Sequence, residues 1–208
     1  MLQTQTIEPV TLSVLKRLMT LPALENFSLV GGTALSLKFG HRKSIDLDLF
    51  SPIPFNNNDI VGALETEFGN DFLLQVSRDK FGVFGFIEEI KIDIVRHPYS
   101  IIAPYDIIDG IRMYSNADII AMKVSAILGR GKKKDFWDVA ELFQYYSMED
   151  FVAFYFKKFP EQRLLIGIPY ALTYFTDADD SETPVSLKGQ TWEKVKKAIE
   201  KKVSEYLK

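Results

Sequence analysis

In the segment Ile45–Phe50, apolar residues alternate with Asp46 and Asp48. Because successive side chains of a strand point to opposite faces, the pattern predicts a strand with aliphatic side chains on one face and both carboxylates on the other. Two carboxylates at this spacing lie roughly 6.5–7 Å apart at the backbone. One or two carboxylates commonly hold Mg²⁺ together with substrate phosphates. The segment therefore predicts a metal site formed by Asp46 and Asp48.

A glycine pair, Gly31-Gly32, precedes this segment and follows the apolar run Phe27–Val30. The run predicts a strand, and the glycines allow a sharp turn with room for a bulky group against the backbone. We expect a helix to open at Thr33 and to end at Gly40, so that backbone N–H groups at its start can bind phosphate oxygens. Either motif alone is most often a plain turn or an exposed polar face. Their separation by one short helix favours a phosphate cradle beside metal ligands on neighbouring strands.

The sequence GGTAL followed by GHRKSIDLDLF resembles the nucleotidyltransferase superfamily that includes DNA polymerase β. More closely, it is similar to the AbiEii/AbiGii toxin family, the minimal nucleotidyltransferases of abortive-infection and type IV toxin–antitoxin systems. The resemblance implies an α+β fold, in which a polymerase β-like nucleotidyltransferase domain with a mixed sheet precedes a helical domain. The residues that match the family motifs are Gly31, Gly32, Thr33, Ala34, Leu35, Arg42, Ser44, Asp46 and Asp48.

The resemblance also implies roles for several of these positions. Gly31, Gly32 and Thr33 would cradle the phosphates of a nucleoside triphosphate. Arg42 would orient a phosphate or simply pair with an acid, and Ser44 would cap the loop or help to hold the site.

A third acid, Asp93, is expected on the second arm of a hairpin over Phe81–Val95, with its turn near Glu88-Glu89. Polymerase β-like enzymes carry a third metal-binding acid on such a later strand, and Asp93 lies between two isoleucines. The alternative is a solvent-facing charge opposite Lys91. Asp93 is therefore a candidate third metal ligand.

Lys123 and two later acids form a second group of candidates. Lys123 lies in an apolar helix that follows the capping sequence Ser115–Asp118, and a lysine there usually extends to water. The resemblance implies instead that it binds nucleotide phosphates. Asp135 and Asp138 begin the next helix, where helix capping alone would explain either acid. The resemblance implies that one of them acts in transfer, as the base on the acceptor hydroxyl, and favours Asp135 without excluding Asp138.

The composition narrows the kind of site that is possible. The chain of 208 residues has no cysteine and only two histidines, so any metal should be bound by oxygen. Its net charge of −3 argues against a broad nucleic-acid footprint but leaves room for a local basic patch. The first ten residues lack a secretory pattern, and no apolar run approaches the ~20 residues of a membrane span. We expect a cytoplasmic protein that does not associate with a membrane.

The chain is expected to divide into a nucleotidyltransferase domain at 1–110 and a helical domain at 111–208, because residues 96–114 are loop-like. In the first domain, Asn57 or Asn58 is expected to cap a helix that ends at Phe68. In the second, an amphipathic helix is expected at 191–207.

Together these features predict a Mg²⁺-dependent enzyme, with Mn²⁺ as an alternative ion, that moves a nucleoside monophosphate from a nucleoside triphosphate to an acceptor hydroxyl. By resemblance the acceptor would be RNA, most plausibly a tRNA 3′ end, and an antitoxin encoded nearby would counter the resulting growth arrest. Three other functions fit the same residues: transfer to a small molecule such as an aminoglycoside, transfer to a protein, or an inactive nucleotide-binding interaction module.

Overall fold

Seven strands of one sheet form the centre of the structure, a computed structural model that describes residues 1–78 and 81–208. The strands are β1 (Ser28–Leu29), β2 (Leu47–Ser51), β3 (Phe72–Arg78), β4 (Gly82–Ile87), β5 (Ile90–Arg96), β6 (Asp106–Ile108) and β7 (Ile111–Met113). The helices are α1 (Pro9–Thr20), α2 (Gly31–Phe39), α3 (Asn57–Phe68), α4 (Asn116–Gly129), α5 (Lys133–Leu142), α6 (Met148–Lys158), α7 (Ile168–Thr173), α8 (Thr176–Asp179) and α9 (Trp192–Tyr206).

The strand order β3-β4-β5-β2-β1-β7-β6 makes the sheet mixed. Strand β2 runs parallel to β5 and β1 runs parallel to β7, whereas the other neighbours are antiparallel. Most of the helices come after the last strand along the chain. The predicted mixed-sheet α+β fold is confirmed.

The central segment has the predicted order of elements with shifted boundaries. Helix α2 begins at Gly31 rather than at Thr33, and it ends before Gly40, whose φ of 68° is the left-handed conformation of a glycine cap. Strand β2 begins only at Leu47, so Asp46 lies just before the strand. Ile45 is exposed instead of joining the buried aliphatic face, because it precedes the ladder that orients Leu47 and Leu49.

The hairpin of β4 and β5 is confirmed, with Glu88 and Glu89 as its two turn residues. Their φ angles of 48° and 68° are those of a two-residue turn whose twist matches the strands. Helix α3 also forms as predicted, but its cap is Asn56, whose side chain accepts a hydrogen bond from the backbone N–H of Asn58. The prediction of Asn57 or Asn58 as the cap was wrong by one or two residues.

Residues 96–114 were wrongly expected to be a loop, because they contain the short hairpin of β6 and β7. Strand β7 pairs with β1 through Met113 and Leu29, so the central sheet continues past residue 110. The paired segments are only three residues long, which is too short for a clear alternation in the sequence. The division into domains at 1–110 and 111–208 stays a prediction.

One apolar cluster joins the sheet to helices α2 and α4. It includes Leu49 of β2, Leu35 of α2 and Ile119 of α4, all of which are fully buried. Because α2 and α4 pack on the same cluster as β2, the side chains that these elements carry are held in fixed positions relative to one another. In the described part of the chain, no helix has both the length and the apolar character to cross a membrane.

Candidate active site

Strand pairing brings the acids of β2 and β5 together. Asp48 lies directly opposite Asp93 in the parallel ladder, and Asp46 lies two residues before Asp48. All three acids line one cavity of about 430 Å³. A parallel register is set by backbone hydrogen bonds between segments distant in sequence, so this pairing depends on the whole sheet. The structure thus brings the three predicted metal ligands to one place.

The electrostatics of the three carboxylates differ. Burial raises the pKa of Asp48 to about 6, and the negative charges of Asp93 and Asp46 act in the same direction. Each of the other two acids has a lysine partner: Lys134 Nζ lies 3.3 Å from Asp46 Oδ2, and Lys91 contacts Asp93 Oδ2. Asp48 is therefore the carboxylate on which the neighbouring negative charges act most directly, and a cation bound beside it would offset that repulsion.

The donor atoms fit a hard divalent ion such as Mg²⁺. Asp93 Oδ1 is buried and has no hydrogen-bond partner among the described residues, so it is an oxygen available for a ligand. Over residues 1–78 and 81–208, no group of three or more acidic or histidine side chains is arranged to hold a metal ion by itself. Protein carboxylates would thus supply only part of the ligand set, as is usual where substrate phosphates complete the octahedron of Mg²⁺.

The glycine turn lies directly against these groups. Gly31 has a φ of +70°, and a Cβ atom on it would lie 2.8 Å from Asp48 Oδ2. A Cβ atom on Gly32 would overlap the guanidinium of Arg42. The backbone N–H of Val30 donates to the carbonyl of Asp48 at 2.9 Å, which fixes the turn on the strand. Glycine is required at both positions because the Asp48 carboxylate and the Arg42 guanidinium occupy the space that a side chain would need.

Thr33 and Ser44 hold the chain that leads into Asp46. The hydroxyl of Thr33 lies 2.8 Å from that of Ser44, and it donates to the backbone carbonyl of Asp46. Both residues line the cavity. Their contacts indicate that they position Asp46, and the cavity side of Ser44 remains available to a ligand.

Asp138 is the centre of a buried charge cluster. Its carboxylate accepts hydrogen bonds from Arg42 Nε at 2.7 Å and Nη2 at 3.0 Å, and it contacts Lys123 Nζ at 2.6 Å. His41 Nε2 lies 2.8 Å from the same carboxylate. Burial alone would raise the pKa of Asp138, but Arg42, Lys123 and the hydrogen bond to His41 hold it well below its usual value. Asp138 has no exposed surface and does not line the cavity.

Lys123 is buried, so its side chain does not extend to bulk water. Its Nζ also lies 2.9 Å from Asp135 Oδ1. Burial opposes the charged form, but Asp138 and Asp135 outweigh that effect and raise the pKa of Lys123. Asp135 is likewise buried, yet Lys123 lowers its pKa. Lys123 and Asp135 both line the cavity, where they present one fixed cation and one fixed anion.

The sequence analysis missed a second group of cavity-lining residues, most of them aromatic. Phe50 lies two residues after Asp48, and His97 lies four residues after Asp93. Since side chains two or four apart on a strand share a face, the same period that predicted the acids indicates these two residues. Three further residues of this group, Tyr99, Phe159 and Gln162, come from a loop and from beyond α6, where no motif marks them.

A family model and one relative match nearly the whole chain. The model described as "Nucleotidyl transferase AbiEii toxin, Type IV TA system" matches residues 13–201. The protein aq_aa25 of Aquifex aeolicus (strain VF5), which is described as uncharacterized, is 32% identical over 199 residues. That match covers 93% of this chain and 94% of aq_aa25.

Two solved structures share the fold. JHP933 from Helicobacter pylori gives a TM-score of 0.60 at 20% identity, over 96% of this chain and 92% of that chain. MenT4, a nucleotidyltransferase toxin from Mycobacterium tuberculosis H37Rv, gives a TM-score of 0.61 at 15% identity, over 94% of this chain and 83% of that chain. The predicted polymerase β-like nucleotidyltransferase fold is confirmed.

Proposed function

Because this chain belongs to the AbiEii family of nucleotidyltransferase toxins, we propose that it transfers a nucleoside monophosphate from a nucleoside triphosphate to a tRNA 3′ end and so arrests growth. The acceptor hydroxyl attacks the α-phosphate, and pyrophosphate leaves. The observation that carries the proposal is the pairing of Asp48 with Asp93 beside the Gly31 turn, with Asp46 in the same cavity.

Asp46, Asp48 and Asp93 are the residues that would hold Mg²⁺, and Mn²⁺ would fit the same oxygen donors. Two such ions, when bound, stabilise the attacking and leaving oxygens of a phosphoryl displacement. The protein's own contribution is to fix the three carboxylates before the substrate arrives, because positioning and charge stabilisation supply most of the catalysis in phosphoryl transfer.

Gly31, Gly32 and Thr33 stand at the start of α2, where backbone N–H groups favour phosphate oxygens. Arg42 and Lys123 line the same part of the cavity, and both are held by Asp138. Neither side chain can move away without breaking a buried ion pair with Asp138, so both are preorganised as counter-charges for the leaving pyrophosphate.

The two later acids take different roles in this scheme. Asp138 is a positioning residue, because it is enclosed by Arg42, Lys123 and His41 and does not reach the cavity. Asp135 does reach the cavity and is the better candidate for a contact with the acceptor. Its pKa, lowered by Lys123 against the effect of burial, makes it a hydrogen-bond acceptor for the hydroxyl more than a strong base.

An RNA acceptor is supported by the basic residues between the end of α4 and the start of α5. Arg130 and Lys134 both line the cavity, and the side chain of Arg130 is 60% exposed. An RNA end needs only such local contacts with its phosphates, so the net charge of −3 does not oppose this acceptor. We further propose that an antitoxin binds this protein, since the matching family model describes a type IV toxin–antitoxin system, and that both act in the cytoplasm.

The test is to incubate the purified protein with Mg²⁺, each labelled nucleoside triphosphate in turn, and total tRNA. Wild type should label tRNA with at least one triphosphate, and Asp46→Ala should abolish labelling. Asp59→Ala, which removes an exposed acid from α3, is the matched control and should retain full activity. Absence of labelled RNA with every triphosphate would refute the proposal. Parallel reactions replace tRNA with a cell protein extract or an aminoglycoside, and label in either of these but not in tRNA would refute the acceptor.

A further inference from the structure

Two chemically different groups of residues line the cavity. One group is the glycine turn with the acids and cations described above. The other is a cluster of rings from Phe50, His97, Tyr99 and Phe159, which we call the aromatic platform. Its ring centroids lie 5.5 Å apart for Phe50 and His97, 4.7 Å for His97 and Tyr99, and 4.7 Å for Tyr99 and Phe159.

The platform carries no charge that a polyphosphate could use. Burial and the nearby Lys158 lower the pKa of His97 to about 4, so its imidazole is neutral at pH 7. The ammonium of Lys158 is itself buried against Asp118 at 2.7 Å. An uncharged aromatic wall in a cavity favours a flat, apolar ring, and nucleobases stack on Phe, Tyr and His side chains in this way.

Gln162 supplies a polar group at the edge of the platform. The hydroxyl of Tyr155 donates to Gln162 Oε1 at 2.8 Å, and Tyr155 is itself fully buried. This contact fixes the amide, and within the described residues Gln162 Nε2 has no protein acceptor. Gln162 lines the cavity and Tyr155 occupies its amide oxygen, so the NH₂ group is the donor that Gln162 can offer to the edge of a ring on the platform.

We infer that the aromatic platform binds the nucleobase of the nucleoside triphosphate and that Gln162 donates a hydrogen bond to the edge of that base. The inference rests on the proposed function and adds a base-reading subsite to it. Phe50 follows Asp48 by two residues, about 6.6 Å along the strand, which leaves the ribose between the metal-binding acids and the platform.

The stacking is tested by equilibrium binding of labelled UTP and CTP in Mg²⁺ without RNA, with tripolyphosphate as a competitor that has no base. Tyr99→Leu keeps an apolar side chain but removes the ring, and it should weaken both nucleotides roughly 5- to 150-fold, the range for loss of one base–aromatic stack. Tripolyphosphate binding should not change. Tyr105→Leu, at a partly exposed tyrosine outside the cavity, is the control and should bind like wild type.

Base reading is tested by Gln162→Glu, which keeps an acceptor for Tyr155 but replaces the NH₂ donor with a second acceptor. Uracil and cytosine have the same shape and differ at position 4, where uracil accepts and cytosine donates. The ratio of UTP to CTP affinity should fall about tenfold in the variant, the effect of one hydrogen bond turned into a repulsion. Arg163→Gln changes the net charge by the same amount one residue away and should leave the ratio unchanged.

The outcomes separate the two claims. If wild type binds tripolyphosphate but neither Tyr99→Leu nor Gln162→Glu changes nucleotide binding, the platform assignment is overturned and the proposed function stands. Binding of labelled tRNA is measured in a parallel titration. If Tyr99→Leu weakens tRNA binding and leaves UTP and CTP binding unchanged, the platform takes a base of the acceptor and the inference is overturned. If wild type binds neither nucleotides nor tripolyphosphate, both claims fail.

Discussion

The position of Asp48 depends on a single residue, Gly31, because the two are in contact across the turn. Replacement by alanine would force an unfavourable φ and place a methyl group 2.8 Å from Asp48 Oδ2. We expect Gly31→Ala to lower nucleotidyl transfer at least tenfold, with a stability loss of about 1–2 kcal/mol from the left-handed backbone. The measurements are labelled-nucleotide transfer and urea unfolding.

Gly69→Ala is the matched control for this change. Gly69 also has a backbone conformation that disfavours alanine, with φ 54° and ψ −124°, but a Cβ atom there meets nothing within 4 Å. It should show the stability loss without the loss of activity. Equal activity in both variants would mean that the position of Asp48 does not depend on Gly31.

Asp138 is predicted to matter for both stability and activity, because it holds two buried cations. Asp138→Asn would leave Arg42 and Lys123 facing a neutral amide. We expect a loss of about 3–5 kcal/mol in the free energy of unfolding, as for a buried ion pair that loses one partner. Transfer activity should fall as well, because Arg42 and Lys123 would no longer be held toward the cavity.

Thermal unfolding and the transfer assay measure these two effects. Glu205→Gln makes the same carboxylate-to-amide change in an exposed pair with Lys201, in which the side chains are 51% and 76% exposed. Exposed pairs contribute little, so this control should behave like wild type. A melting temperature for Asp138→Asn that equals that of the control would contradict the role of the cluster.

The turn between β4 and β5 contains two residues that disfavour the backbone conformation it requires. Glu88 and Glu89 both adopt positive φ, 48° and 68°, where an asparagine followed by a glycine is the preferred pair. The double substitution Glu88→Asn with Glu89→Gly should stabilise the protein by about 1 kcal/mol and raise Tm by about 2–4 °C. Activity should not change, because neither residue lines the cavity.

The control for the turn is Glu88→Gln with Glu89→Gln, which removes both charges and keeps the backbone preference. Calorimetry of the two double variants separates conformational strain from charge. If the glutamine pair raises Tm as much as the asparagine–glycine pair, repulsion between the two carboxylates is the cause and the strain argument is wrong.

For the whole molecule, the sequence predicted what depends on local pattern. The alternation of apolar and acidic residues predicted which side chains of β2 are buried. The hairpin of β4 and β5 was predicted from two apolar runs separated by Glu88 and Glu89. The opposition of Asp48 and Asp93 could only be suspected, because a parallel register is set by the entire sheet. From the sequence, Asp138 could be explained as a helix cap. Its actual role depends on Arg42, which lies nearly a hundred residues earlier in the chain and contacts it only in the folded protein.

Long-range contacts also explain what the sequence did not predict near the C-terminal end of the chain. The backbone N–H of Leu187 donates to the carbonyl of His41 at 2.9 Å, and that of Lys43 donates to the carbonyl of Val185 at 2.9 Å. A segment after α8 thus pairs with the loop that carries Arg42. Such a two-residue backbone contact has no side-chain pattern, so local sequence signals do not show it.

The stability of the whole protein should depend on pH through His97. Its pKa is about 4 in the folded protein, against 6.5 in the unfolded chain, because it is buried and faces Lys158 of α6, which outweighs Asp118 of α4. As pH falls below 6.5, the unfolded chain binds the proton first, so stability is complete above pH 6.5 and is lost between pH 6.5 and 4. At pH 4.5 the loss in the free energy of unfolding should be roughly 2 kcal/mol, with allowance for the exposed part of the ring.

The test compares wild type with His97→Phe, which keeps a ring in the platform and cannot titrate. The carboxylates titrate in both proteins, so urea unfolding of the two from pH 7.5 to 4.5 separates the contribution of His97 from theirs. The stability of the variant relative to wild type should rise as pH falls, and parallel profiles would show that His97 is protonated equally in the folded and unfolded states.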